Sequence, residues 1–116
     1  PMREFLHVDD MASACVYVMN LSQNKFMFSV SDPMCSHINV GSGIDVSIAE
    51  LAALMAKTVG FKGALLFDKS KPDGIMRKVM SVDRLVGLGW SSQIGLEEGL
   101  ASTYEWFVEQ QDRIRA

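Results

Sequence analysis

The sequence is poor in cysteine, in proline and in long apolar runs. Only two of its 116 residues are cysteine (Cys15 and Cys35), which excludes a disulfide-stapled scaffold. Three residues are proline. No stretch approaches the ~18–20 apolar residues of a membrane helix, and no basic-then-apolar signal precedes the first element. We therefore expect a cytoplasmic protein with free thiols. A chain of this length is one domain, which excludes a complete two-domain enzyme.

The sequence also has little excess of one charge sign over the other. Eleven Lys and Arg against 14 Asp and Glu give a net charge of −3, and no basic run is present. Such a chain is poorly suited to nucleic acid, because phosphate binding depends on clustered positive charge. The hydrophobic fraction of 48% is that of a folded domain with a core.

Strand-like and helix-like segments alternate, which predicts a small α/β domain spanning residues 1–116. We expect about three main helices, a few short strands and no complete Rossmann domain. The predicted helices cover 10–21, 48–59, 84–88 and 96–110. Residues 3–8 are predicted as a short strand or an extended entry. The other predicted strands cover 36–40, 64–67 and 79–82, and residues 22–33 and 68–76 are predicted loops. Asp9 or Asp10 is expected to cap the first helix, and Asp83 the short one.

The second predicted helix has the clearest signals at both ends. Ser47 followed by Glu50 forms a capping box, in which each side chain binds a backbone amide of the other residue. Gly60 supplies the left-handed residue at which helices commonly end.

Most groupings that could carry chemistry are incomplete. Gly41 and Gly43 lie in a turn before a helix, but a dinucleotide fingerprint requires a third glycine where Val46 stands. No tyrosine is followed by lysine four residues later, as proton transfer in short-chain reductases requires. Two pairs with metal-ligand side chains, His7 with Asp10 and Cys35 with His37, fall short of the four ligands of a structural zinc site. We predict no metal and no catalytic residue.

The segment 68–78 differs, because it carries four cations and two acids around a turn. Flexible lysines and a forked arginine suit a diphosphate, and a carboxylate can accept hydrogen bonds from ribose hydroxyls. A solvated loop without a ligand explains the same composition. Arg3, near a strand start, is a further candidate cation.

Several segments together resemble the extended short-chain dehydrogenases/reductases that act on nucleotide sugars. The resemblance covers essentially the whole chain and corresponds to the last third of such enzymes. It rests on segments in a fixed order: 1–12, 37–43, 47–51, 70–74 with 77–78, 88–90, and 96–107.

The resemblance implies roles for a few residues and a cofactor for the whole enzyme. Arg3 matches an arginine at the diphosphate of the substrate, and Asp73 and Lys78 match a loop over its nucleotide end. Lys71 and Arg77 are weaker neighbours. These enzymes use NADP, but their glycine-rich loop, serine, tyrosine and lysine belong to the first two-thirds. We therefore expect this chain to hold no cofactor.

Three functions stay open at this stage. The first is a non-catalytic domain that forms a homodimer through the face that would meet a cofactor domain, beside an unpaired strand edge at 36–40. The second is a weak binding module for a nucleotide sugar such as a GDP-sugar. The third is an enzyme piece that is active only with a separate NADP-binding domain.

Overall fold

The computed structural model describes residues 1–30 and 37–114. It confirms a small α/β fold, with three strands and five helices among the described residues. In chain order the elements are β1 (Met2–Glu4), α1 (Val8–Met19), α2 (Gln23–Val30), β2 (Asp45–Ser47), α3 (Ile48–Val59), β3 (Arg77–Lys78), α4 (Asp83–Gly87) and α5 (Leu96–Glu109).

One short sheet joins three distant parts of the sequence in the order β2-β1-β3. Strand β1 is central, antiparallel to β2 and parallel to β3. The Met2 amide donates to the Met76 carbonyl at 2.6 Å, just before β3. The sheet thus brings the start of the chain beside the end of the 68–76 loop.

The core is small and lies between α1 and α4. Ala14, Leu85 and Trp90 are its buried hydrophobic residues. Trp90 donates its indole N–H to the Ser13 hydroxyl at 3.1 Å, and Tyr17 donates to the Leu88 carbonyl at 2.5 Å. These bonds satisfy the polar ends of two aromatic side chains, so both rings can pack at the core.

Helix α3 confirms the predicted helix and both of its end signals. Ser47 Oγ accepts from the Glu50 amide at 3.1 Å, and Glu50 accepts from the Ser47 amide at 3.0 Å. Gly60 ends the helix with φ 74°, a left-handed conformation that costs glycine little.

The start of α1 differs from the prediction. Its N-cap is His7, whose Nδ1 accepts from the Asp9 amide at 3.0 Å, and neither Asp9 nor Asp10 takes that position. Asp10 is instead buried at 3% exposure and binds two distant backbone amides. Asp83 is likewise the first helical residue of α4 and not its cap, because Val82 precedes it as N-cap without a side-chain bond.

Four predicted assignments outside the main helices are wrong. Helix α2 forms within the predicted 22–33 loop, because Ser22 Oγ accepts from the Lys25 amide and starts a turn that has no clear apolar period. Residues 37–40, 64–67 and 79–82 are not strands, since no neighbouring strand pairs with them. Ser36, the first residue of the predicted 36–40 strand, lies outside the described residues. An unpaired strand edge at 37–40 is therefore absent.

The fold leaves much of its apolar surface bare. The radius of gyration is 17.7 Å, against about 13 Å expected for a compact domain of this length. The accessible surface of 9001 Å² exceeds the roughly 6,300 Å² typical of a monomer of this mass. Among the described residues, no helix is both long and apolar enough to cross a membrane.

Candidate functional site

The sheet brings two of the predicted site residues together. Arg3 on β1 and Lys78 on β3 are direct partners in the parallel register. Neighbouring strands lie ~4.8 Å apart and partner residues point to the same face. Two cations from opposite ends of the sequence therefore share one face of the sheet. In the described part of the chain, the Lys78 side chain makes no hydrogen bond or ion pair, so its ammonium is available to a ligand.

Gly74 lets the Arg3 guanidinium approach the loop before β3. A Cβ at Gly74 would lie 3.2 Å from Arg3 Nη2, tighter than most side-chain contacts. Arg3 also donates through Nη1 to the Met2 carbonyl at 2.7 Å. The guanidinium is thus held beside residue 74, next to Asp73.

Arg77 lies on the opposite face and is engaged by another residue. Its Nε donates to Asp45 Oδ2 at 2.5 Å and its Nη2 to Asp45 Oδ1 at 3.4 Å. This hydrogen bond, with the attraction of the carboxylate, raises the pKa of Arg77 above its usual value. Arg77 is therefore a structural cation here and does not join Arg3 and Lys78.

The remaining two predicted residues lie in the exposed loop. Lys71 and Asp73 are exposed, and their side chains have no partner among residues 1–30 and 37–114. The beginning of the loop is ordered by Asp68, which accepts from the Ser70 hydroxyl at 2.5 Å and amide at 2.9 Å. Both bonds lower the pKa of Asp68 and keep it ionised. The structure thus does not join the Lys71 and Asp73 side chains to Arg3 and Lys78, although Asp73 precedes Gly74, which lies against Arg3.

The glycine turn at 41–43 is filled by a side chain of the protein. The Gly43 amide donates to Glu4 Oε2 at 2.5 Å, and a Cβ at Gly41 would lie 2.6 Å from Glu4 Oε1. A carboxylate at this position repels a phosphate. The turn therefore does not fit the phosphates of a dinucleotide such as NADP, and we derive no step through that cofactor.

Among the residues with metal-ligand side chains, His7 has other contacts on both ring nitrogens. His7 Nε2 lies 3.2 Å from Ser102 Oγ, while its Nδ1 caps α1. In the described ranges, no three His, Cys, Asp or Glu side chains gather closely enough to hold a metal. Cys15 is a free, exposed thiol, and Cys35 lies outside the described residues.

Three residues of the site were missed by the sequence reasoning. Glu4 accepts a hydrogen bond from the glycine turn. Gly74 leaves room for the Arg3 guanidinium, and Asp45 forms an ion pair with Arg77. Asp45 carries no signal in the sequence, because an acid near a helix start is already explained by the helix dipole. The repeated glycines at 41 and 43 were the only indication that something approaches that turn closely.

No protein-family profile matches the chain. Individual relatives match it strongly. It is 58% identical over 115 residues to a GDP-L-fucose synthase of Escherichia coli (strain K12), which covers 99% of this chain and 36% of that protein. It is 50% identical to a putative GDP-L-fucose synthase 2 of Arabidopsis thaliana, over 94% of this chain and 30% of that protein.

Solved structures resemble the fold over a similar range. A GDP-6-OMe-4-keto-L-xylo-heptose reductase from C. jejuni superimposes with a TM-score of 0.83 at 39% identity, over 94% of this chain and 31% of that one. A GDP-D-glycero-L-gluco-heptose synthase from Campylobacter jejuni, solved in the presence of NADPH, gives 0.78 at 36% identity, over 92% and 30%.

The chain spans about a third of the length of the relatives that it matches. The match agrees with the order of motifs noted in the sequence and with the small α/β fold. In sequence and in structure, the chain is thus similar to one third of the GDP-L-fucose synthases, and its fold is that of a fragment of the extended short-chain dehydrogenases/reductases.

Proposed function

We propose that this chain has no catalytic activity of its own and forms a homodimer through an exposed apolar stripe. The sequence contains no tyrosine–lysine pair at the spacing that hydride-transferring relatives of this fold require, and its glycine turn is occupied by Glu4. Purified chain should therefore leave NADPH unoxidised when it is given a GDP-keto-sugar. Cofactor-dependent turnover by the chain alone would reject this part of the proposal.

The observation that carries self-association is that α1 has a second apolar stripe beside the one that faces the core. Ala14 and Val18 pack at the core. A second side forms what we call the α1 stripe, with residues at i, i+4, i+7, i+8 and i+11: Val8, Ala12, Cys15, Val16 and Met19, all exposed. An exposed apolar stripe along a helix is typical of a surface that packs against another chain. Because Cys15 is a free thiol in this stripe, we also propose a reducing location, the cytoplasm.

The area of bare surface is sufficient for a stable dimer. The chain exposes about 2,700 Å² more than a compact monomer of its mass. A typical specific interface buries about 800 Å² per partner. The α1 stripe, continuous along a helix of 12 residues, would supply the apolar centre of such an interface with a second copy.

Sedimentation velocity at 1–100 µM tests the dimer. We expect the wild type to sediment as a dimer and the variants Val16→Lys and Met19→Lys as monomers, because both side chains are more than half exposed and their replacement leaves the core intact. Leu66→Lys is the matched control, since Leu66 is 92% exposed but lies outside the stripe. A wild-type monomer throughout this range, or a dimer that survives both stripe variants, contradicts the proposal.

A second candidate function, weak binding of a GDP-sugar, is favoured by the pairing of Arg3 with Lys78. Two adjacent cations on one sheet face suit a diphosphate, and Asp73 lies next to Gly74, against which Arg3 rests. The names of the similar proteins specify GDP-linked sugars, which makes GDP the appropriate probe.

Calorimetry with GDP tests this second function. We expect a millimolar dissociation constant that weakens about tenfold in Arg3→Ala or Lys78→Ala, the effect of losing one charge-assisted hydrogen bond. Lys62→Ala removes the same charge from an exposed residue after α3 and should leave binding unchanged. Absence of heat at millimolar GDP with wild-type chain would reject the site.

A further inference from the structure

The pairing of Arg3 with Lys78 depends on a strand of only two residues. Strand β3 consists of Arg77 and Lys78, and it follows the exposed 68–76 loop. Both of its residues are exposed, so packing does not hold it against the sheet. A two-residue ladder with one other bond, from the Met2 amide to Met76, is a weak attachment.

The ion pair between Asp45 and Arg77 provides a second attachment. Asp45 lies on β2 and Arg77 on β3, and central strand β1 separates them. The pair therefore joins the two edge strands across the middle one. It is made through two nitrogens of one guanidinium and both oxygens of one carboxylate. The Asp45 side chain is only 11% exposed, so this end of the pair is fixed by its surroundings.

The ion pair and the candidate ligand cations lie on opposite faces of the sheet. Successive residues of a strand alternate in direction, so Arg77 and Lys78 point to opposite faces. Asp45, paired in register with Glu4, lies on the Arg77 face, and Arg3 lies with Lys78 on the other. Fixing Arg77 on one face thus fixes the position of Lys78 on the other, without a contact between Asp45 and the ligand.

We propose that Asp45 is a positioning residue for the nucleotide-sugar diphosphate, acting through Arg77 to hold Lys78 opposite Arg3. The inference rests on the proposed GDP-sugar binding and deepens it. The Arg77 end of the pair is 68% exposed, so water screens much of the attraction and the pair contributes little to global stability. The effect of this pair is therefore on ligand affinity, while the folded state persists without it.

Calorimetry with GDP on variants of the whole chain provides the test. Asp45→Asn and Arg77→Gln should each weaken GDP binding about fivefold to tenfold with a melting temperature within about 3 °C of wild type. Arg77→Gln changes a side chain that is 68% exposed, so it tests the same pair if Asp45→Asn fails to fold. Glu97→Gln is the matched control, because it breaks the exposed Lys57–Glu97 pair between α3 and α5 and should leave affinity unchanged.

A double-mutant cycle separates positioning from general destabilisation. If Asp45 acts through Lys78, adding Asp45→Asn to Lys78→Ala should weaken GDP binding no further than Lys78→Ala alone. Equal affinity of wild type and the Asp45→Asn and Arg77→Gln variants, or additive losses in the double variant, would overturn the inference alone. Failure of the wild type to bind GDP would reject the proposed binding function, and the inference with it.

Discussion

At the scale of single residues, Asp10 carries the most concentrated set of buried polar contacts. Its carboxylate accepts from the Gln93 amide at 3.1 Å and the Ile94 amide at 3.0 Å, and the residue is 3% exposed. These bonds attach the segment before α5 to the first turn of α1. Without the carboxylate, these two partly buried bonds lose their charged acceptor.

We predict that Asp10→Ala lowers the free energy of unfolding by about 3 kcal/mol, because two amides lose a charged acceptor and a hydrogen bond to a charged group contributes about 1.5–3 kcal/mol. Asp10→Asn retains one acceptor oxygen and should lose about 1 kcal/mol. Urea unfolding followed by circular dichroism measures both. Asp9→Ala removes the neighbouring, 78% exposed carboxylate and should change the value by less than about 0.5 kcal/mol. An Asp10→Ala loss no larger than that of Asp9→Ala would contradict the assignment.

At the scale of elements, the capping box of α3 predicts a pH dependence. The amide and hydroxyl of Ser47 both donate to Glu50, which lowers the pKa of Glu50 below the ordinary value of a glutamate. A carboxyl whose pKa is lower in the folded state stabilises the fold above its unfolded pKa. That contribution is lost as the pH falls through the folded value.

Glu50→Gln keeps an oxygen at the same position but does not titrate. We therefore expect the wild type to exceed Glu50→Gln in urea midpoint at pH 6, and the difference to shrink as the pH falls to about 3. Glu105→Gln is the control, because Glu105 lies in the middle of α5 and its side chain makes no hydrogen bond or ion pair with any described residue. A difference for Glu50→Gln that is the same at both pH values would show that the box does not act through ionisation.

The same elements show what the sequence could predict. Helix α3 was predictable at both ends, because its signals, Ser47 with Glu50 and then Gly60, are local. Strands β2 and β3 were not, since two or three residues become a strand only through a partner distant in sequence. Helix α2 was missed because its start depends on one Ser22 bond and no apolar period supports it.

The candidate site was likewise predictable only in part. Motif resemblance selected Arg3, Asp73 and Lys78, and the β1–β3 register brings Arg3 and Lys78 to one face. The same resemblance placed Arg77 with them, but strand alternation turns Arg77 to the other face, where Asp45 binds it. The sequence showed which residue types are present. The sheet face to which each side chain points depended on a strand pairing that the sequence did not reveal.

At the scale of the whole molecule, the surplus of exposed surface has a consequence for unfolding. The denaturant dependence of unfolding, m, scales with the surface newly exposed when the chain unfolds. Since the folded chain already exposes 9001 Å², a monomeric variant should show an m about a fifth below that of a compact domain of the same length.

The proposed self-association through the α1 stripe predicts a dependence on protein concentration. A dimer is stabilised by mass action, so the wild-type urea midpoint should rise between 1 and 100 µM, while that of Met19→Lys stays constant. The dimer also buries apolar surface that unfolding must expose, so the wild-type m should exceed that of Met19→Lys at the highest concentration. Parallel urea titrations at both concentrations measure the two quantities together. A wild-type midpoint independent of concentration, with an m equal to that of Met19→Lys, would mean that the bare face of α1 stays in water.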